Sequence, residues 1–368
     1  MKILLLGGTG VLSTPVMLSA LDRGFEVYIA NRGNRRKLIP PQVKLIQCDV
    51  RSTAAFSEAL ASYRFDVVMD FLSYTKEQIL HTLSVIADKT DQYIFVSSCC
   101  AYDRRLFVDK EITDADTPTG NPLWNYGENK LECEKELYKS FSHLFFTIVR
   151  PYITFGNTRI PYGITPASTF HGTILFRIKN NKPLFVWDDG KAMTTITHTQ
   201  DFARCVTALF QNNEAKQKAF NIVGDHRISW KDFIRTFEEV LERPISTVNI
   251  PSEFAAKTLP SQAGILLGDR ALDARFDNHL LKAAVPSFHD TISLKDGLKQ
   301  TVDYYATNNY LNGIDYSWDG MIDRLIAKWF HHSKEKNPYP LHFVDYMNSA
   351  TFRNRLQYFY HRRVSSSN

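Results

Sequence analysis

The chain has 368 residues, 44% hydrophobic and 23% charged, the make-up of an ordinary water-soluble globular protein with room for one large domain or two lobes. No stretch approaches the roughly 18 apolar residues of a membrane span. The opening residues lack a signal-peptide pattern, and Cys48, Cys99, Cys100, Cys133 and Cys205 have no metal-ligand spacing, so a cytoplasmic protein without a bound metal is expected. Residues 321–368 hold eight Lys/Arg against three Asp/Glu and so carry the whole net charge of +5, which argues against reading the entire protein as a nucleic-acid binder.

The first fourteen residues organise the rest. Ile3 to Leu6 is a short apolar run suited to a buried parallel strand, Gly7, Gly8 and Gly10 follow, and Val16, Met17, Ala20 and Leu21 begin a helical pattern. Strand, glycine turn and helix place backbone N–H groups and a helix N-terminus against a pyrophosphate. Ser13 stands where a third glycine would be expected. A tight turn in some other α/β domain is the plainer reading of the same pattern.

Phe25 to Ala30 predicts the second strand, and Asn31-Arg32-Gly33-Asn34-Arg35-Arg36 follows it. An acid here would bind a ribose hydroxyl and repel a 2′-phosphate. The segment has no acid and three arginines, whose planar forks match phosphate, so NADP(H) is favoured with NAD(H) possible. Val43 to Cys48 predicts a third strand; Asp49 and Val50 after it contact an adenine, or Asp49 caps a helix over 52–63. Further strands are expected at Phe65 to Phe71 and Tyr93 to Ser98, with a helix from Gln78 to Asp88 between them. The alternation predicts a doubly wound, Rossmann-type parallel sheet.

The fifth strand ends Ser97-Ser98, and Tyr126-Gly-Glu-Asn-Lys130 lies on a later helix. Tyr and Lys four residues apart share a helical face. An ammonium beside a phenol lowers the phenol's pKa and fits it for acid–base work.

With these residues in this order, the sequence resembles the extended short-chain dehydrogenase/reductases of the NAD-dependent epimerase/dehydratase group. The resemblance runs from Lys2 to about Ala306 and rests on Gly-Gly-Thr-Gly (7–10), Val-Ser-Ser-x-x-x-Tyr (96–102), Tyr-x-x-x-Lys (126–130) and Arg-Pro-x-x-x-Phe-Gly (150–156). Asp-Asp-Gly (188–190), Thr-His-Thr-x-Asp-Phe-Ala (197–203) and Phe-Asn-Ile-Val-Gly (220–224) complete it. The resemblance implies Ser98, Tyr126 and Lys130 as the catalytic residues. It implies cofactor contacts at Gly7, Thr9, Gly10, Val11, Leu12, Asn31, Arg32, Arg35, Asp49, Val50, Phe71, Tyr126, Lys130, Pro151 and Ile153. Ser73 and Cys99 are expected at the substrate, with Arg270 and Arg275 as candidate anion contacts, and the chain is expected to divide into a cofactor core (1–157), a substrate lobe (158–315) and, outside the resemblance, a basic, aromatic helical extension (316–368).

Two departures bear on the substrate. Thr194 stands where nucleotide-sugar members often have a diphosphate-holding arginine, leaving Arg159, Arg177, Lys191, Arg270 or Arg275 to substitute. Cys99-Cys100 stands where dehydratases place Asp-Glu, so epimerisation or keto reduction is expected rather than dehydration. The leading expectation is oxidation or reduction of a C–OH/C=O centre on a nucleotide-activated sugar. A reductase of a non-nucleotide small molecule and a non-catalytic RNA- or partner-binding protein are the alternatives.

Elsewhere, helices are expected at 169–179, at 202–209 started by Asp201, at 230–241 and at 294–306, with a strand at 183–187. His198 reads as a structural histidine, and 251–267 as cover for a substrate pocket. Beyond Tyr316, Ile322, Leu325, Ile326, Trp329 and Phe330 line one helical face. A second segment, 343–363, mixes aromatic residues with four arginines. These helices pack on the core or on a second subunit in a homodimer, or lie at a membrane surface.

Overall fold

The computed structural model describes residues 1–167, 170–308, 313–339 and 351–363. Seven apolar runs form one sheet: β1 (Lys2–Leu6), β2 (Glu26–Asn31), β3 (Lys44–Gln47), β4 (Phe65–Asp70), β5 (Thr90–Val96), β6 (Phe146–Pro151) and β7 (Lys218–Ile222). Their order is β7-β6-β5-β4-β1-β2-β3, and every pairing is parallel. Leu4 and Leu6 pack toward one face and Ile3 and Leu5 toward the other, which is why the run reads as continuously apolar rather than alternating.

Helices α1 (Ser13–Asp22), α2 (Thr53–Ala59), α3 (Lys76–Ile86), α4 (Asn125–Ser140) and α5 (Thr199–Ala208) belong to the same compact unit, built from residues 1–154, 195–226 and 275–292. The strand order leaves the C-terminal ends of β1 and β4 beside each other at the point where the winding reverses, the usual crevice of a doubly wound sheet.

Two local expectations are corrected. The helix expected over 52–63 is only Thr53–Ala59, and Asp49 does not cap it: its carboxylate accepts the Arg51 amide at 3.0 Å in a local turn. Asp201 does not start α5. His198 does, its Nδ1 accepting the Gln200 amide at 3.3 Å, while the fully buried Asp201 accepts the Thr291 amide at 3.1 Å and tethers the returning segment. Burial pushes the His198 pKa down to about 4, so the ring is neutral at physiological pH.

The second unit comprises residues 155–194, 227–274 and 293–368. It contains helices Gly172–Lys179, Trp230–Leu241 and Leu294–Thr307, and the parallel strand pair Leu184–Trp187 and Thr247–Ile250. Residues 251–267 form two short helices, Ser252–Thr258 and Pro260–Ile265. Helices α6 (Tyr316–Ser333) and α7 (Phe352–Arg363) are part of this unit. Ile322, Leu325 and Ile326 are buried, and Trp329 lies edge-on to Phe254 at 5.2 Å, so the apolar face of α6 is covered within the chain and is not the membrane-facing surface considered above. Of the expected segment 343–363, only the part from 351 lies among the described residues.

At Gly8 (φ +86°) a Cβ would lie 2.6 Å from Cγ2 of Ile29; Gly24 (φ +74°) has open space around it. Gly8→Ala is expected to cost about 3 kcal/mol in denaturant unfolding, strain and clash together. Gly24→Ala serves as the strain-only control at about 1 kcal/mol. Equal costs would mean that close approach to Ile29 does not require the glycine.

Candidate active site

The glycine turn is closed by side chains on both sides. Asn31, at the end of β2, donates from Nδ2 to the Gly7 carbonyl at 2.6 Å and accepts the Gly33 amide at 2.8 Å. The buried Ser13 accepts the Gly10 amide on its hydroxyl at 2.8 Å, so the residue in place of the third glycine has a definite role. Arg35 reaches back to donate to the Thr9 carbonyl at 3.2 Å, while Arg32 is exposed and its carbonyl accepts from Gln47. Thr9 to Leu12 reach the surface just before α1, in whose first turn Pro15 has no N–H and the Thr14 and Val16 amides donate to the Gly10 and Leu12 carbonyls at 3.0 and 3.3 Å. Gly7 is glycine at φ +113°, where a Cβ would come into contact distance of Leu72 and Phe71 beyond β4. A turn this tight at the end of a parallel strand, with Thr9 to Leu12 at the surface, fits a pyrophosphate.

Lys130 ties this corner to α4. Its ammonium donates to the carbonyls of Ser73 and Val96, both at 2.7 Å, and lies over the rings of Tyr74 and Phe95 at 4.5 and 4.8 Å. It therefore joins the C-terminal ends of β4 and β5. Burial lowers its pKa from the ordinary 10.5 to about 8.

Ser98 lies two residues past the end of β5 and caps the short turn Cys99–Ala101, accepting the Cys100 amide at 3.1 Å. Gly127, beside Tyr126, lies so close to that turn that a Cβ would stand 2.1 Å from the Cys100 carbonyl oxygen. The first turn of α4 thus presses its backbone onto the turn that holds Ser98. Tyr126 is half-buried, with Trp124 at 5.1 Å and Tyr74 at 6.4 Å between ring centroids. The fold brings the elements bearing Ser98, Tyr126 and Lys130 together at the strand ends.

Several expected contacts are not placed at such a surface. Ser73 and Cys99 are fully buried. The Ser73 hydroxyl bonds Asp70, and the Cys99 thiol faces the Arg150 carbonyl at 3.1 Å, so neither side chain is presented to a substrate. Val50 is a core residue, and Pro151 and Ile153 are also buried. In the second unit, Arg270 is buried against Asp269 and donates to the Gly163 carbonyl at 3.1 Å. Arg177 pairs with Asp319 and Asp323 in the interior. Neither of these two cations is displayed for a substrate anion. Arg275 lies in the first unit, half-buried, where its carbonyl accepts the Ile112 amide at 2.9 Å.

The sequence reading missed a buried support beneath the site. Glu134, one turn beyond Lys130, takes a two-pronged ion pair from Arg150, with Nη2 at 2.6 Å and Nε at 3.0 Å, and also accepts the Ser97 hydroxyl. Arg150 donates on to the Tyr102 hydroxyl at 2.6 Å, which in turn donates to Asn221 at 3.3 Å. Burial opposes the guanidinium charge, but Glu134 outweighs it and holds the Arg150 pKa above its ordinary value. The available signal was the recurrence of Tyr126, Lys130 and Glu134 at four-residue spacing on one face of α4. Among the described residues no cluster of His, Cys, Asp or Glu is placed to hold a metal ion.

Residues 3–223 match the model of the NAD dependent epimerase/dehydratase family. The chain belongs to this family. It is 24% identical over 291 residues to the 2'-dehydrokanamycin reductase of Streptomyces kanamyceticus, covering 79% of this chain and 80% of that protein. It is also 24% identical over 288 residues to the UDP-glucose 4-epimerase of Azospirillum brasilense, covering 69% and 80%. The UDP-glucuronic acid 4-epimerase of Bacillus cereus, solved in complex with NAD, superposes with a TM-score of 0.64 at 19% identity, covering 83% of this chain and 99% of that one. The protein is thus an enzyme of the epimerase/dehydratase family with a Rossmann-type core.

Lys130 makes stability depend on pH in a definite direction. Between pH 8 and 10.5 the unfolded chain still binds this proton and the folded one does not, so unfolding takes up a proton and this contribution rises with pH; below pH 8 both states are protonated and its slope vanishes. The wild-type unfolding free energy minus that of Lys130→Met, measured by urea titration, should climb through this window. A flat or falling difference would show that the ammonium is not desolvated.

Proposed function

We propose that this protein is a nicotinamide-dependent oxidoreductase or epimerase acting at a C–OH/C=O centre of a sugar, most specifically a nucleotide-activated one. The observation that carries the reading is the meeting of the Ser98 turn, the first turn of α4 and the buried Lys130 at the strand ends beside the glycine turn. The UDP-sugar epimerases among its relatives support the substrate class.

Gly7, Thr9, Gly10, Val11 and Leu12 would hold the dinucleotide's phosphates, with Phe71 beside them. When bound, the dinucleotide supplies a hydride acceptor or donor. The Tyr126 phenol takes a proton from the substrate hydroxyl, or returns one to the carbonyl oxygen. The Lys130 ammonium stabilises the phenolate form electrostatically. The Ser98 hydroxyl, held at the turn by the Cys100 amide, orients the substrate oxygen. The Trp124 and Tyr74 rings lie beside the Tyr126 ring, at 5.1 and 6.4 Å between centroids.

Arg32 and Arg35, with no acid at the end of β2, support acceptance of a 2′-phosphate, although the superposed B. cereus epimerase holds NAD. A second reading, reduction of a non-nucleotide glycoside, is favoured by Thr194 in the family's arginine position and by the internal pairing of Arg177 and Arg270. The reductase among the relatives points the same way. Turnover of UDP-glucose or UDP-glucuronate with either cofactor supports the first reading. Cofactor-dependent stabilisation with reduction of an oxidised aminoglycoside, and none of a nucleotide sugar, supports the second.

Tyr126→Phe should lower turnover by about a thousandfold while leaving cofactor affinity, measured by fluorescence titration, nearly unchanged. Retained turnover would remove Tyr126 from the mechanism. Arg32→Ala with Arg35→Ala should weaken NADPH binding about tenfold more than NADH binding. Equal losses would exclude a 2′-phosphate contact at these residues.

A further inference from the structure

Helix α7 is fastened along one side only. Tyr358 is 2% exposed; its hydroxyl donates to Asp323 at 2.7 Å and the Lys182 ammonium lies 5.1 Å from its ring. Its carbonyl oxygen approaches α6 so closely that a Cβ on Gly320 would come within 2.6 Å. The opposite side carries Phe352, Leu356 and Tyr360, which are 76%, 55% and 60% exposed. At about 100° per residue these three span an arc of about 80°, centred about 160° from Tyr358. Arg353 and Arg363, both exposed, fall in or beside that arc. The helix holds Arg353, Arg355, Arg362 and Arg363 and no acid.

Exposed apolar rows of this kind mark surfaces that meet something, and the charge decides what. A second copy of α7 would set four arginines against four. A protein partner would have to bring an acidic face to meet four arginines on a helix with no acid. Base stacking on RNA uses aromatic rings and arginine planes and gains little from the aliphatic Leu356 at the centre of the row. An anionic bilayer takes all the parts: phenyl, leucyl and phenol groups enter the acyl boundary, while the guanidinium groups meet phosphate headgroups.

We propose that α7 docks this protein on the surface of an anionic membrane, with Phe352, Leu356 and Tyr360 inserted and Arg353 and Arg363 on lipid phosphates. Among the described residues no helix is long and apolar enough to cross a membrane. The buried Tyr358 presents the helix as a fixed ridge.

The test is co-sedimentation of the full chain with phosphatidylcholine vesicles containing about 30% phosphatidylserine, at low and high salt, against pure phosphatidylcholine. The protein should partition onto the anionic vesicles at low salt and about tenfold less onto pure phosphatidylcholine. Phe352→Ser with Leu356→Ser and Tyr360→Ser should lower partitioning about tenfold or more at an unchanged melting temperature, since all three are exposed. Arg353→Gln with Arg363→Gln should lower it about 25-fold, the product of about fivefold per arginine. Absence of partitioning, or equal partitioning of the triple-serine variant, overturns the proposal. So does retention on single-stranded RNA, or a dimer in size exclusion, that the triple substitution abolishes while vesicle partitioning stays at background.

Discussion

One buried ammonium holds the corner of this protein where its chemistry is proposed to occur. Lys130 reaches from α4 to two backbone carbonyls, that of Ser73 just past β4 and that of Val96 at the end of β5. Backbone carbonyls at strand ends lack ladder partners and, once buried, need donors. A lysine provides several at one point, so the same side chain satisfies the sheet and places positive charge at its mouth. Desolvation of that charge is the cost, visible in the lowered pKa. One turn further along the helix, the Glu134–Arg150 pair fixes α4 against β6 and Ser97. Removing one partner of such a pair would leave a charge buried alone, which is far worse than never having had the pair.

The glycine turn follows a related logic. Gly7 and Gly8 adopt backbone conformations that side chains resist, and Gly8 has no space for a Cβ beside Ile29. Side chains from outside the turn then hold it: Asn31 on the Gly7 carbonyl, Ser13 on the Gly10 amide and Arg35 on the Thr9 carbonyl. The serine that departs from a three-glycine pattern therefore takes over a hydrogen bond within the turn.

The second unit is built around a different device. Arg177 and Lys182 meet Asp319 and Asp323 in its interior, with Tyr358 adding a hydroxyl. Two cations, two carboxylates and a phenol from separated stretches of chain satisfy one another. Residues that look in sequence like surface charge are therefore internal supports for α6 and α7. Arg177 was a reasonable candidate for an anion contact on its residue type alone, and burial beside two carboxylates removed it from that role.

The amino-acid sequence by itself determined β1 to β5 of the parallel sheet, though not β6 and β7, together with the glycine turn and the position of the Tyr126–Lys130 pair. These are written in local patterns: apolar runs buried on both faces, glycines where φ is positive, and a four-residue spacing on one helical face. It also placed Trp230–Leu241 and the start of α6's apolar face, where the period is strong. Tertiary structure alone decided which polar groups face outward. Ser73 and Cys99 turned inward, Arg270 was taken by Asp269, His198 rather than Asp201 capped α5, and Glu134 found Arg150. The physical reason is that a charged or hydroxylic side chain carries the same signal in sequence whether water or a buried partner satisfies it. Its partner usually lies tens of residues away, and only the folded chain brings the two together.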